Sequence, residues 1–260
     1  MDDKLKILVA APIYDKMEYC FEEFLMHLRG IEGSEFDILL VDNSRSEEFF
    51  ENLSGIGGVK VFRDETSEEK NIHRLISSRN KILEYAFEKN YDYLLMMDSD
   101  VMAPKNILSD LVLSNKDVIS GLYFNLFNSG GQQKLLPVCW REIEDNTFEE
   151  MRVKGMLPDF ITSKSDLRRN LTSAEIEEGK ILEVLIPSAG CLLLSRKALS
   201  SGVKYGLLED THGLQTGDDI YFFKQLREKG FELYCDPSVY CKHLALNKYK
   251  ENKDSHPIFD

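Results

Sequence analysis

Two aspartates stand two positions apart in Asp98-Ser99-Asp100, directly after the apolar run from Tyr93 to Met97. Carboxylates in this arrangement can share a divalent cation, because Mg²⁺ and Mn²⁺ prefer oxygen ligands. Such a cation would bridge to a diphosphate and neutralise a leaving group. A polar turn before the next helix is the structural alternative, and the strand in front of the motif is what favours metal binding.

Two further side chains could belong to the same site. His243 follows the last predicted strand, and an imidazole could be the third ligand beside two carboxylates; a surface or core histidine is the alternative. Arg79 falls on the apolar stripe of a predicted helix. A buried guanidinium needs an anionic partner, either an aspartate of the protein or a substrate phosphate, and the sequence leaves both open.

A second acidic pair, Asp218-Asp219, opens a predicted helix from Asp218 to Lys229. Acidic residues in a first turn interact favourably with the helix dipole, by about 0.3–1 kcal/mol each. The functional alternative is a general base that accepts a proton from an attacking hydroxyl. Taken alone, this pair favours the structural role.

Alternating strands and helices must position these side chains. The predicted strands of the first half are Lys6 to Ala11, Phe36 to Val41, Val59 to Phe62, Tyr93 to Met97 and Asp117 to Leu122, and the longest predicted helix is Asn71 to Lys89. This order is typical of a parallel sheet covered on both faces, with ligands at the carboxyl ends of the strands. Three strand ends carry polar clusters: Pro12-Ile13-Tyr14, Asp42-Asn43-Ser44 and Asp98-Ser99-Asp100.

The periodicity fades between Asn125 and Lys180, which predicts loops and short helices inserted over the active edge of the sheet. Trp140, the only tryptophan, lies there. It could stack on a sugar ring or pack in the core, and packing is slightly favoured. Order returns with a strand, turn and strand over Glu183 to Ser195. A last strand from Phe231 to Cys235 is predicted to end at Asp236-Pro237.

Composition limits the class of protein. The 260 residues include 45 Asp and Glu against 32 Lys and Arg, a formal net charge of −13. This length fits one large α/β domain, and the acidic charge argues against nucleic acid as a partner. No apolar run approaches the roughly 20 residues that span a bilayer. Five cysteines without C-x-x-C spacing predict free thiols in a cytoplasmic protein.

In this order the elements resemble the GT-A glycosyltransferases, specifically the family 2-like group, from about Leu5 to Leu244. The matching motifs are a first strand ending in Pro-Ile-Tyr, a second ending in Asp42, an Arg79-Asn80 helix, the D-x-D, the turn Ser188-Ala189-Gly190-Cys191, the pair Asp218-Asp219, and a Gly-Phe-x-x-Tyr-x-Asp-Pro strand leading to His243. The resemblance implies a Rossmann-like, mostly parallel sheet flanked by helices. It also implies one domain over 1–260, with a nucleotide-sugar half (1–124), an acceptor-side insertion (125–182) and an acceptor and catalytic half (183–260).

The resemblance assigns roles to the site residues. The implied contacts with a nucleotide sugar are Pro12, Tyr14, Asp42, Asn43, Arg79, Asp98 and Ser99. Asp42 would bind the base or ribose, and Arg79 would lie near the diphosphate or brace the D-x-D. Asp100 and His243 would bind Mn²⁺ or Mg²⁺. Asp98 would bind the same cation through water, or would contact the ribose instead. Gly190 would leave room for the acceptor. Apart from the resemblance, acceptor recognition is expected in the region from Asn125 to Lys180, where Trp140 could stack on a sugar ring.

The family usually carries Glu-Asp where this chain has Asp218-Asp219, and the second member acts as general base. Asp219 therefore inherits that role with Asp218 as a helper, although the departure leaves open which aspartate faces the cleft. The implied reaction is a metal-dependent, inverting hexosyl transfer from a UDP- or GDP-sugar. The acceptor would be a hydroxyl of a saccharide, a glycolipid or a protein glycan, and a lipid acceptor would add peripheral membrane contact.

Three other functions use related features. Haloacid-dehalogenase-like phosphatases also carry a D-x-D, but at the end of their first strand. Sugar-phosphate nucleotidyltransferases carry a glycine-rich basic loop after strand one, which this chain lacks. A non-catalytic sugar-nucleotide-binding module is the third alternative, and the intact set of Asp98, Asp100, Asp219 and His243 argues against it.

Overall fold

The structure is a computed structural model that describes residues 4–129, 132–157, 161, 163–164, 167–207 and 217–244. The strands are β1 (Ile7–Ile13), β2 (Phe36–Asp42), β3 (Lys60–Arg63), β4 (Tyr93–Met97), β5 (Val101–Met102), β6 (Val118–Leu122), β7 (Phe124–Ser129), β8 (Gln132–Pro137), β9 (Trp140–Glu142), β10 (Arg168–Asn170), β11 (Leu182–Glu183), β12 (Cys191–Ser195), β13 (Tyr234–Tyr240) and β14 (Lys242–His243). The α-helices are α1 (Glu18–Arg29), α2 (Glu47–Ser54), α3 (Asn71–Glu88), α4 (Ile107–Leu113), α5 (Asp145–Val153), α6 (Ser173–Glu177), α7 (Arg196–Leu199) and α8 (Asp218–Glu228).

The central sheet has eight strands in the order β11, β13, β6, β12, β4, β1, β2, β3. Strands β3, β2, β1 and β4 pair in parallel, and β6 pairs in parallel with β13. Strand β12 is antiparallel to both β4 and β6, and β11 is antiparallel to β13. Six strands therefore point one way and two the other. The predicted α/β architecture with a mostly parallel sheet is confirmed.

Both faces of this sheet are covered by helices. In β1, alternate side chains from Ile7 to Ile13 join a core with α1, α2 and α4, whereas Leu8 and Ala10 join a second core with α3 and α8. Every residue of β1 is buried. Burial on both faces explains why the sequence shows a continuous apolar run instead of an alternating one.

Helix α3 ends close to the predicted position. Its last residue is Glu88, and Asn90 follows with φ 55, in the left-handed region where asparagine is tolerated after a helix. Proline is common at the first position of a helix, so the sequence predicts that α4 begins at Pro104, and this prediction is wrong. Pro104 lies before the helix, where its carbonyl accepts from Ile107 N at 3.2 Å, and the helix begins only at Ile107.

The end of β13 was also predicted wrongly, because the strand continues through Asp236-Pro237 to Tyr240. Its pairing with β6 shifts register between Cys235 and Tyr240. A bulge of this kind leaves residues unpaired, so the missing N–H of Pro237 costs no ladder hydrogen bond.

The region from 125 to 182 contains more strand than the sequence indicated. Strands β7 and β8 form an antiparallel hairpin, in which Phe124 pairs with Pro137. Strands β9 and β10 form a second antiparallel pair. The short α6 begins with a reciprocal capping box between Thr172 and Glu175.

All five cysteines are buried and free, as predicted. Within the described ranges, no helix is both long and apolar enough to cross a membrane.

Candidate active site

A cavity of about 340 Å³ opens where the parallel strands end. Its wall includes Pro12 and Tyr14 after β1, Asn43 after β2, and Asp98, Ser99 and Asp100 after β4, and the first turns of α3 close it. The carboxyl ends of parallel strands meet at one edge of a sheet, so residues from each of the three polar clusters line the same cavity, with Asn43 alone representing the second cluster. Asp98 and Asp100 form the acidic part of its wall.

The position of Asp98 depends on Gly190 in the turn before β12. The Asp98 N–H donates to the Gly190 carbonyl at 3.0 Å. A Cβ atom at residue 190 would lie 2.8 Å from Asp98 Oδ2 and 3.1 Å from Tyr123 Oη. Gly190 therefore lets the carboxylate and Tyr123 approach the backbone. The implied role of leaving room for an acceptor is not supported, because Asp98 and Tyr123 fill that space.

Arg79 joins the two acidic motifs. Its Nη2 donates to Asp98 Oδ1 at 2.5 Å, and its Nη1 donates to Asp218 Oδ2 at 2.6 Å. Burial alone would lower the pKa of Arg79, but Asp98 and Asp218 raise it well above its ordinary value. Of the two partners that the sequence left open, the structure selects the protein's own aspartates. Arg79 braces the D-x-D.

The acidic pair at the start of α8 divides into two different carboxylates. Asp218 is buried and forms the ion pair with Arg79. Asp219 forms no ion pair with any described residue, and its Oδ1 accepts from Ile220 N at 2.8 Å. Burial raises the pKa of Asp219, Arg79 lowers it, Asp218 raises it again, and the net shift is upward. Among the described residues, Asp219 is therefore the member of the pair that no cation neutralises, and it is not among the residues lining the cavity.

The short antiparallel pairing of β14 with β5 brings His243 to Asp100. His243 Nε2 lies 3.3 Å from Asp100 Oδ2, and Nδ1 lies 3.0 Å from the Phe124 carbonyl oxygen. Because a carbonyl only accepts, Nδ1 must carry a proton, and the lone pair of a neutral ring then points at the carboxylate. Burial lowers the pKa of His243, but the hydrogen bond and charge of Asp100, the Phe124 carbonyl and the charge of Asp98 together raise it above its ordinary value. Two acceptors facing each other suit a shared cation or a protonated ring.

The three implied metal ligands are only partly assembled. Asp100 and His243 are in contact, while Asp98 Oδ1 is held by Arg79. In the described part of the chain, no group of three or more His, Cys, Asp or Glu side chains is arranged to hold a metal ion. The donor types fit Mn²⁺ or Mg²⁺, with Asp100 and His243 as the pair that fits best.

Asp42 does not reach the cavity, contrary to its implied contact with a nucleoside. Its side chain is 0% exposed. Oδ1 accepts from Ser44 N at 2.9 Å and Oδ2 accepts from Arg63 Nη1 at 2.6 Å. Both oxygens are therefore occupied by the protein. The next residue, Asn43, lines the cavity instead.

Asn43 is oriented by a buried network that the sequence did not reveal. Its Nδ2 donates to Ser78 Oγ at 3.0 Å, and Ser78 Oγ donates to Asp64 Oδ2 at 2.8 Å. Lys81 Nζ also donates to Asp64, at 2.6 Å. Asp64 directly follows β3, so a carboxylate at a fourth strand end was the available signal. The network fixes the Asn43 amide nitrogen toward Ser78.

Trp140 packs within the protein. Its ring meets Phe127 edge to face at 6.2 Å between centroids, and the Arg168 guanidinium lies 5.9 Å from its centre. It contributes to the packing around both cores and does not line the cavity. The packing interpretation is therefore the better one, and the implied contact with an acceptor has no support here.

The whole chain can be compared with solved structures. It superposes on a crystal structure of GalNAc-T7 with UDP, GalNAc and Mn²⁺ with a TM-score of 0.59 and 17% identity, over 94% of this chain and 44% of that chain. The protein has the GT-A fold. This GT-A protein is also similar to S. aureus TarS 1-349 in complex with UDP-GlcNAc (TM-score 0.51, 16% identity, 97% and 62% of the two chains). It is similar to the mannosyltransferase PcManGT from Pyrobaculum calidifontis in complex with GDP-Man and Mn²⁺ (TM-score 0.54, 11% identity, 96% of this chain and 60% of that chain).

No protein-family model and no curated protein matches the chain. The GT-A protein spans between 44% and 62% of the length of the three structures above. At this identity the similarity establishes the fold.

Proposed function

We propose that this protein is a glycosyltransferase that moves a sugar from a UDP- or GDP-sugar to a hydroxyl acceptor with the help of Mn²⁺ or Mg²⁺. The observation that carries the proposal is the cavity at the strand ends, where Asp98 and Asp100 line the same space as Asn43 and Tyr14. The fold adds support, since the similar structures contain UDP, UDP-GlcNAc or GDP-Man, two of them with Mn²⁺.

In this proposal Asp100 and His243 hold the cation, and Asp98 completes its environment. The cation supplies charge neutralisation for a diphosphate in a protein whose formal net charge is −13. Arg79 and Gly190 fix the Asp98 carboxylate from two sides. These residues therefore position the acidic wall, and Arg79 does not bind the diphosphate, since its charge is used by two aspartates.

Asp219 is proposed as the general base. It accepts the proton of the acceptor hydroxyl while that oxygen bonds to the anomeric carbon and the bond from this carbon to the diphosphate oxygen breaks. Attack opposite the leaving group inverts the anomeric centre. The raised pKa of Asp219 favours proton acceptance, and Asp218 is a positioning residue through Arg79.

The acceptor is proposed to approach from the region 125–182, as a saccharide, a glycolipid or a protein glycan. The cytoplasmic location is also a proposal, for which the five free cysteines give support. The phosphatase alternative is disfavoured because the D-x-D follows β4, after three other strands of the same sheet.

The proposal is tested by offering a panel of UDP- and GDP-sugars with Mn²⁺ and measuring release of the nucleoside diphosphate, with and without simple sugar acceptors. We expect release from one donor class, abolished by EDTA. Release that is unchanged in EDTA would reject the metal. Release of phosphate from simple phosphomonoesters without any nucleotide would favour the phosphatase, and nucleotide binding without any turnover would favour the binding module.

A further inference from the structure

Arg74 is a buried cation in the wall of the cavity, and none of the carboxylates in the described part of the chain forms an ion pair with it. The residue is 9% exposed and lines the cavity. Its Nη2 donates to the neutral Asn71 Oδ1 at 2.9 Å, and its Nε has no hydrogen-bond partner. Within the described ranges, it forms no ion pair of 4.0 Å or less.

The other arginines near this edge differ from Arg74. Arg63 is paired with Asp42, and Arg79 with Asp98 and Asp218. Burying a charged group without a partner is costly, and so is leaving a buried donor unsatisfied. Because the described part of the chain supplies no anion to Arg74, the missing partner is expected to be a ligand in the cavity.

The start of α3 lies at the same place. This 18-residue helix begins at Asn71, its N-cap residue Lys70 makes no side-chain cap, and its first turn contains no acidic residue. Asn71 and Ile72 line the cavity beside Arg74. The first N–H groups of a helix lack partners within the helix, and they attract anions together with the helix dipole. Two independent features therefore favour an anion at one position.

We propose that Arg74 and the N-terminus of α3 form a phosphate subsite that binds a phosphate of the nucleoside diphosphate independently of the metal ion. The inference rests on the proposed function, because it takes the cavity as the nucleotide site. The hydrogen bond that Arg74 donates to Asn71 holds the guanidinium in place before the ligand arrives. The diphosphate is then bound from two sides, by the cation at the acidic wall and by Arg74 at the helix.

The test is calorimetry in EDTA with uridine, UMP, guanosine, GMP and inorganic pyrophosphate. The wild-type protein should bind one monophosphate roughly tenfold more tightly than its nucleoside, as expected for one charged hydrogen-bonded contact. Arg74→Gln should abolish this difference while nucleoside binding persists. The matched control is Lys89→Gln, which removes an exposed charge after the other end of α3 and should leave the difference unchanged.

Arg74→Lys is a second variant that separates the loss of charge from a folding defect, because it keeps the charge and should retain part of the phosphate preference. Circular dichroism measures whether both variants are folded. Equal affinity of the wild-type protein for nucleoside and monophosphate would overturn the subsite, as would a preference that survives Arg74→Gln. Equal loss of nucleoside and monophosphate binding in Arg74→Gln would assign Arg74 to the base and also overturn it. If the wild-type protein binds neither monophosphate nor pyrophosphate, the subsite is overturned as well.

The outcomes separate this inference from the proposed function. An Arg74-dependent phosphate preference without turnover of any sugar nucleotide would keep the subsite and reject the glycosyltransferase. Turnover of a sugar nucleotide without such a preference would reject the subsite and keep the enzyme.

Discussion

Arg79 and Asp98 form an ion pair with 2.5 Å between Nη2 and Oδ1, and the second nitrogen of the same guanidinium binds Asp218. The D-x-D and the acidic pair are far apart in the chain, yet one arginine makes them a single electrostatic unit. A substitution of Arg79 therefore changes the electrostatic environment of both motifs.

Arg79→Met should destabilise the protein strongly, because it leaves Asp218 buried without a partner and Asp98 without its brace. Breaking a buried ion pair by removing one partner costs about 3–5 kcal/mol. Urea unfolding measures the free energy of unfolding. Arg152→Met is the control, since its ion pair with Glu149 is exposed and should contribute less than about 1 kcal/mol. Equal stability of the two variants would contradict the bracing role.

Asp219→Asn should retain nucleotide binding and lose transfer to the acceptor, by roughly 10²- to 10⁴-fold. Because burial raises the pKa of Asp219 above 3.8, the acid limb of the wild-type rate profile should lie above that value, with activity falling as pH falls and the base becomes protonated. Steady-state rates against pH measure both effects. Asp218→Asn is the comparison and should lower stability as well. Wild-type turnover by Asp219→Asn would exclude Asp219 as the base.

Gly190→Ala should displace Asp98, because the new Cβ would lie 2.8 Å from its Oδ2. Overpacking of this kind costs about 1–3 kcal/mol, and the shifted carboxylate should weaken nucleotide binding in Mn²⁺ more than in EDTA. The control is Gly57→Ala, whose Cβ would meet nothing within 4 Å. The melting temperatures of both variants, measured with and without nucleotide, compare their stability and their nucleotide binding. A Gly190→Ala protein with unchanged stability and affinity would show that the close contact is unimportant.

Glu175 predicts a pH-dependent contribution to stability outside the site. Hydrogen bonds from Arg169 have the largest effect on the pKa of Glu175 and lower it. Burial raises this pKa, but further hydrogen bonds from Thr172 and Arg141 lower it, and the net result is a shift from 4.5 to about 2. The unfolded chain therefore binds more protons between these values, so the stabilisation is complete above pH 4.5 and is lost as pH falls toward 2. Glu175→Gln keeps the capping box and should be less stable than wild type at neutral pH, with the difference shrinking through this window. Glu149→Gln, in an exposed pair, should show little effect.

The sequence predicted the strands and helices better than the ion-pair and hydrogen-bond partners of the site residues. The apolar stripe of α3 placed Arg79 in the core, and the strand before Asp98 placed the D-x-D at the sheet edge; both follow from local periodicity. The partner of a buried charge depends on residues distant in the chain, which explains why Asp42 was assigned to a ligand when Arg63 occupies it. Arg74 lies outside the apolar stripe, so only the three-dimensional structure reveals its burial.

Two strands were misjudged for local reasons. The β7–β8 hairpin carries a polar, mostly exposed second strand with no clear alternation, so it lacks the usual strand signal. In β13, Pro237 is a strong strand-breaking signal, and the bulge that accommodates it depends on pairing with β6. In both cases tertiary pairing overrides the local preference.

The antiparallel strand β12 lies between β4 and β6, although about 70 residues separate it from β6 in the chain. During synthesis, the first four parallel strands can pair while the edge of β4 next to the D-x-D remains open. Only when residues 188–195 emerge does Gly190 accept the Asp98 N–H and the edge close. Until then the nascent chain exposes the unpaired apolar edge of β4, and an unpaired strand edge of this kind favours aggregation before folding is complete.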